Sequence, residues 1–339
     1  MMKNTFKIAS TVLGLMVAGL MVAAPAAAAD VKTIKVGIGY NEQSPQYKGL
    51  QKFKELVETR SNGRLKVDLF GNSQLGDDAK MMTSLRAGTL EMTMPSTAPI
   101  AGLDRQWMVF DLPFLFPNEE VADKVLDGPF GQKFLDGLPT HGIIGMAFWE
   151  NGFRELTNSV REVKSPEDLK GLKIRTMENP VHLAAFRALG ANPTPMPFGE
   201  LFSALQQKTI DGQENPSPTI FLQKFYEVQK FTTLSNHFYS PFVFMYSKRL
   251  WDRLEKQDQD VILAAAKEAR LEQRKINRDT MGEAVAGMEK NGMTVTRLTP
   301  EQHNAFVEAT KDIGKQFEKE FGADNLKALM EEIAKAQGK

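Results

Sequence analysis

Gly171-Leu172-Lys173-Ile174-Arg175 and Asp211-Gly212-Gln213-Glu214-Asn215-Pro216 bracket the stretch that decides how this 339-residue chain folds. Between them runs Gly190-Ala191-Asn192-Pro193-Thr194-Pro195-Met196-Pro197-Phe198. The pattern predicts a strand over 172–176, a helix over 180–189 and an extended segment over 192–196, then a helix over 197–206 and a short strand over 210–214. Alternation of this kind makes an α/β fold. Arg175 ends the first strand, and its planar guanidinium can grip a carboxylate with two parallel hydrogen bonds. The competing role is an ion pair with Glu178, three residues on.

Working outward, the same alternation precedes this stretch. Residues 33–39 and 65–70 read as strands, 44–60 and 77–87 as helices, with Gly88 closing the second and a further strand over 90–94. The series predicts a mostly parallel sheet. Asp77-Asp78 begins a helix, where carboxylates complement the dipole. Residues 142–149 form a buried strand expected to stop at the polar Glu150-Asn151-Gly152, and a second series begins near Phe153. Ser165-Pro166-Glu167-Asp168 starts a helical turn. Residues 238–247 are β-prone despite Pro241 and are expected to cross back into the first series. Residues 257–289 contain no proline and end at Asn291-Gly292, predicting a helix of some 30 residues and about 45 Å that braces both halves. Thr299-Pro300-Glu301-Gln302 is a capping box with proline at the first helical position.

The N-terminus carries Lys3 and Lys7, an apolar run over 8–24 and a small-residue Ala27-Ala28-Ala29 exit. That pattern is a secretory signal peptide over 1–29, in preference to a retained anchor. The 42 basic and 42 acidic residues become 40 and 42 once Lys3 and Lys7 are removed, a net charge of −2. No basic excess is left to hold nucleic acid or an anionic membrane. The chain has no cysteine, so disulfides, thiol catalysis and thiolate metal sites are excluded. A chain this long usually splits into two domains.

Catalytic signatures are missing. Gly37-x-Gly39 is followed by Glu42 where a dinucleotide fingerprint needs glycine. There is no Gly-x-Ser-x-Gly elbow and no phosphate loop. His141, His182, His237 and His303 are scattered and read as structural. The expectation is no cofactor, no metal and no enzymatic activity. The rival is an exported hydrolase or lyase acting on an organic acid, and a third reading is a sensor module for such a ligand.

Five motifs in order resemble one family. They are Ser73-Gln74-Leu75-Gly76-Asp77-Asp78, Asn151-Gly152-Phe153-Arg154-x-x-Thr157-Asn158, Asp168-Leu169-Lys170-Gly171-Leu172-Lys173-Ile174-Arg175, Asn192 to Phe198, and Asp211 to Pro216. Almost end to end, the chain resembles the DctP-type solute receptors of tripartite ATP-independent periplasmic (TRAP) transporters. The resemblance implies a two-lobed α/β periplasmic binding protein fold with mixed sheets, a hinge and a long helix spanning both lobes. Lobe I would be 30–151 plus about 241–280, and lobe II 152–240 plus about 281–339. It implies a monomer that binds a small organic acid anion, closes on it and delivers it to membrane permease subunits.

By the same resemblance Arg175 forms the salt bridge to the ligand carboxylate, Arg154 and Asn215 assist, and Phe198 packs beside the ligand. Read alone, Arg154 would pair with Glu150 or Glu155. Trp149 is expected in the core or as an apolar cleft wall. In the first lobe Gly39-Tyr40-Asn41-Glu42 and Met94-Pro95-Ser96-Thr97 sit just after strands, where open α/β sheets hold ligands, so Asn41, Glu42 and Ser96 join the candidate set, and Asp78 at its helix start is added to them. Sialic-acid receptors of the family carry asparagine at the position of Gly39 and glutamate at that of Ser96, so this chain departs from them. C4-dicarboxylates, sugar acids and hydroxy- or keto-acids stay open, with Arg154 available as a second cation for a second carboxylate.

Overall fold

The computed structural model describes Met1 and residues 31–339, so the expected signal peptide falls, Met1 aside, outside the described residues. Among the described residues nine strands build the fold: β1 (Lys32–Gly37), β2 (Leu65–Phe70), β3 (Met92–Thr93), β4 (Ile143–Asn158), β5 (Lys173–Thr176), β6 (Asn192–Pro195), β7 (Gly212–Asn215), β8 (Phe231–Ser247) and β9 (Thr294–Arg297). They join in one continuous sheet of order β2-β1-β3-β8-β4-β7-β5-β6, with β9 beside β8. The mixed sheet structure expected from the resemblance is thus one continuous sheet.

The sheet is also less parallel than the alternation implied. β1 pairs in parallel with β2 and β3, and β5 with β6 and β7. Between these two parallel groups lie β4 and β8, antiparallel to each other and to their neighbours β7 and β3. Their lengths, 16 and 17 residues, let them run through both groups.

β4 does not stop at Glu150-Asn151-Gly152. The strand bends there, with a register shift between Glu150 and Gly152 and φ +117° at Gly152. Its polar groups are answered by the long helix Lys256–Lys290. Gln273 accepts from the Glu150 amide at 2.9 Å and donates to its carbonyl at 2.8 Å. Asn277 donates to the Glu150 carboxylate at 2.8 Å and Arg278 also donates to it. A polar run that reads as a strand end is thus a buried junction, because side chains from another element satisfy it.

The long helix has 35 residues and contributes to two of the hydrophobic clusters. Ile262, Ala265, Ala266 and Ala269 join the cluster of Ile34, Val36, Phe53 and Val67, while Met288 joins that of Leu201, Ile210 and Ile220. Helix Pro45–Arg60 approaches it closely at Gly49, where a Cβ would lie 2.6 Å from Gln273 and 2.7 Å from the Trp149 ring. The largest cluster holds Trp107, Phe110, Phe134 and Phe148 together with Val163, Ile174 and Phe186. Leu329 and Ile333 of the last helix, Ala323–Ala336, belong to it, and that helix packs on Glu119–Leu126. Residues 31–339 accordingly form one compact unit.

Local signals explain the helix starts. Ser44 caps Pro45–Arg60 and Asp77 caps Asp78–Ala87, each side chain accepting a backbone N–H. Gly88 ends the second helix at φ +75°, a conformation glycine adopts without steric cost. Among the described residues no helix is long and apolar enough to cross a membrane.

Candidate ligand site

One cavity gathers the ends of the parallel strands. Gly39 and Tyr40 follow β1, Ser96 follows β3, Met177 and Glu178 follow β5, Phe198 and Gly199 follow β6, and Asn215 ends β7. Ser73, Asp77, Asp78, Arg175 and Phe242 complete most of the lining, around about 550 Å³ of space partly open to solvent. The carboxyl ends of strands are where open α/β sheets bind ligands, because loops diverge there and leave a crevice.

Arg175 is 2% exposed. Its Nε and Nη2 both donate to the carbonyl of Met196, at 2.8 and 2.6 Å, which fixes the guanidinium plane. Nη1 is buried and unpartnered, and among the described residues no carboxylate lies within ion-pair distance. The Glu178 pair considered from sequence does not form. Burial lowers the Arg175 pKa to about 10, with Glu214 opposing the shift, so the group stays cationic at neutral pH. A buried cation without a counter-ion is costly, and a ligand carboxylate is the group that would relieve it.

Arg154 has a different assignment. It is fully buried and clasps Glu214, with Nε on one carboxylate oxygen and Nη2 on the other at 2.7 Å. The Glu214 carbonyl takes a further bond at 2.6 Å. Burial pushes the Glu214 carboxyl up, but the Arg154 charge and the His237 contact outweigh it and hold the carboxyl far below the usual range. Arg154 is not part of the cavity wall. Neither partner considered from sequence is used: Glu150 pairs with Arg278, and Glu155 accepts the amides of Ser235 and Asn236.

The other candidates divide. Asn215 lines the cavity and donates to Gln213 at 2.5 Å. Phe198 lines it and stacks on Tyr40. Ser96 lines it with its hydroxyl 3.3 Å from the Met177 sulfur. Asp78 lines it from the first turn of its helix, and burial followed by the Asp77 charge raises its pKa to about 7. Asp78 as a residue is half-buried and lies on the cavity wall.

Trp149 does not reach the cavity. It is core, donating to the Ala266 carbonyl at 3.2 Å and packing on Phe244. Asn41 also lies outside the lining: its amide bonds the Leu222 carbonyl at 3.0 Å and the Gln223 side chain at 3.3 Å. Glu42 is exposed and away from the cavity. Sequence reasoning did not single out Met177, Ser73 or Phe242 as wall residues, and it held Tyr40 only as part of the segment after the first strand. Met177 directly follows the end of β5, and that position was the available signal.

A family model of bacterial extracellular solute-binding proteins, family 7 (DctP), matches residues 36–320. The chain belongs to the DctP family. Among its relatives is the sugar acid binding protein DctPAm of Advenella mimigardefordensis strain DPN7T, solved with galactonate. It is 45% identical, with a TM-score of 0.89 over 91% of this chain and 100% of that one. A TRAP periplasmic solute binding protein of Polaromonas sp. JS666, bound to D-erythronate, is 40% identical, with a TM-score of 0.85 over 88% and 98%. The 2,3-diketo-L-gulonate-binding periplasmic protein YiaO of Escherichia coli K12 is 38% identical over 96% and 99% of the two chains. This DctP-family chain therefore has the mixed α/β fold of the two-lobed TRAP periplasmic binding proteins. Its family and structural neighbours are solute-binding receptors.

Proposed function

We propose that this protein is the periplasmic receptor of a TRAP transporter and that it binds a small organic acid, a sugar acid above the other classes. Arg175 clamps the carboxylate, Asn215 supplies an amide donor and Phe198 covers the apolar side of the ligand. The observation that carries this reading is the buried, unpartnered Nη1 of a guanidinium already oriented by the Met196 carbonyl. A carboxylate leaving water needs charge-assisted hydrogen bonds of this kind to offset its desolvation. The sugar acids bound by the galactonate and D-erythronate receptors point the same way.

Export by the N-terminal segment, closure of two lobes and hand-over to a membrane permease belong to the same reading. Lobe I comprises 30–151 plus about 241–280, and lobe II 152–240 plus about 281–339. The bend of β4 at Glu150/Gly152, opposite Pro241 of β8, is the hinge. A thermal-shift screen of the purified protein against organic acids tests the function. A binder at 100 times its Kd adds about 2.7 kcal/mol of stability. Stabilisation by sugar acids is expected, and none by any carboxylic acid would contradict the reading.

A further inference from the structure

Resting on Arg175 as the carboxylate clamp, we propose that Asp78 makes the cleft selective for hydroxylated monocarboxylates over dicarboxylates of the same length. The charged residues of the wall are one guanidinium, Arg175, and three carboxyls, Asp77, Asp78 and Glu178. Asp77 is already committed. It caps its helix by accepting the Lys80 amide at 2.8 Å and pairs with the Lys80 ammonium at 3.1 Å. Glu178 is exposed at the rim. Asp78 faces inward, and among the described residues no cation lies within ion-pair distance of it.

Once a ligand carboxylate neutralises Arg175, no cation remains on the wall. Arg154, the second cation of this region, is neutralised by Glu214 and lies outside the lining. A second ligand carboxylate would be an acceptor facing acceptors, with like charges held together and no cation between them. A ligand hydroxyl has the opposite character: it donates to the Asp78 carboxylate and satisfies it. Rejection by an unpaired like charge is a general way to build specificity. The tilt of the Asp78 pKa agrees with the geometry, since burial and Asp77 oppose its charge while the Ser96 amide and Arg175 favour it.

The test compares ligands that differ only at the far end: D-galactonate against galactarate, and D-gluconate against glucarate. Affinities are measured by titration calorimetry at pH 8. In the wild type each monocarboxylate should bind at least ~10-fold tighter than its dicarboxylate. Asp78→Asn should narrow that gap to within ~3-fold by weakening the first and strengthening the second. Asp78→Ser is measured beside it, with near-ultraviolet circular dichroism on both, so that a folding defect in one variant does not hide the result. A wild type that prefers the dicarboxylates, or an unchanged gap in folded Asp78 variants, would overturn the proposal. If Arg175→Ala abolishes binding while Asp78→Asn leaves the gap intact, the clamp stands and the selectivity claim alone fails. If the wild type binds none of the four, both fail.

Discussion

Tyr40 stacks on Phe198 with ring centroids 4.6 Å apart and planes at 25°. The first ring follows β1, second in the sheet order, and the second follows β6, the last. Phe242 meets Tyr40 edge-on at 5.5 Å. Both stacked rings line the cavity that Arg175 also lines.

Phe198→Ala should therefore weaken sugar-acid binding more than it weakens the fold. An aromatic pair contributes about 0.5–1.5 kcal/mol beyond area burial. Calorimetry should show roughly a 10-fold loss of affinity, with denaturant melts of the unliganded protein shifted by about 1 kcal/mol. Equal affinity in the variant would separate the stack from binding.

Arg154 and Glu214 form a pair buried at 1% and 0% side-chain exposure. Removing one partner leaves an uncompensated buried charge, which costs about 3–5 kcal/mol. Arg154→Ala should show that loss in urea unfolding, and Arg154→Met with Glu214→Met should recover part of it. The sign with pH follows from the depressed Glu214 carboxyl. Its stabilisation is present above the ordinary carboxylate range and is lost as pH falls through the folded value.

Glu155 behaves in the opposite sense. It is 3% exposed, and burial raises its pKa to about 7 against the bonds from the Ser235 and Asn236 amides. The folded protein thus keeps a proton that the unfolded chain releases near pH 4. Stability contributed by this group falls as pH rises between those values. Glu155→Gln keeps an acceptor for the amides and removes the charge. Its melting temperature relative to wild type should rise between pH 5 and pH 8, and a constant difference would contradict the assignment.

Gly49→Ala should destabilise by about 1–3 kcal/mol, the range for overpacking. The added methyl would meet Gln273 at 2.6 Å and the Trp149 ring at 2.7 Å. Chemical denaturation reads the loss directly. A neutral effect would mean that the two helices can separate.

The local order of the chain was readable because its signals are local. β2 falls on residues 65–70 as the alternation predicts, and Asp77, Gly88 and Thr299 act as the caps that their residue types suggest. Long-range satisfaction was hidden. Glu150-Asn151-Gly152 looks like a strand end until Gln273, Asn277 and Arg278 arrive from a helix more than a hundred residues away. That Glu214 of β7 lies against Arg154 was likewise not legible in the sequence. Arg175 and Arg154 are alike in sequence, both set on strands near polar residues. Only packing shows that one is neutralised and the other is not.

The central claim is that the free edge of the Arg175 guanidinium holds the ligand carboxylate. Titration of wild type, Arg175→Ala and Arg175→Lys with D-galactonate at one pH and salt concentration tests it most directly. Truncating one partner of a buried charge pair costs about 2–5 kcal/mol. Arg175→Ala should therefore bind at least ~30-fold more weakly, and Arg175→Lys, which keeps the charge without the planar fork, should recover only part of the loss. Wild-type affinity in a folded Arg175→Ala protein would contradict the account.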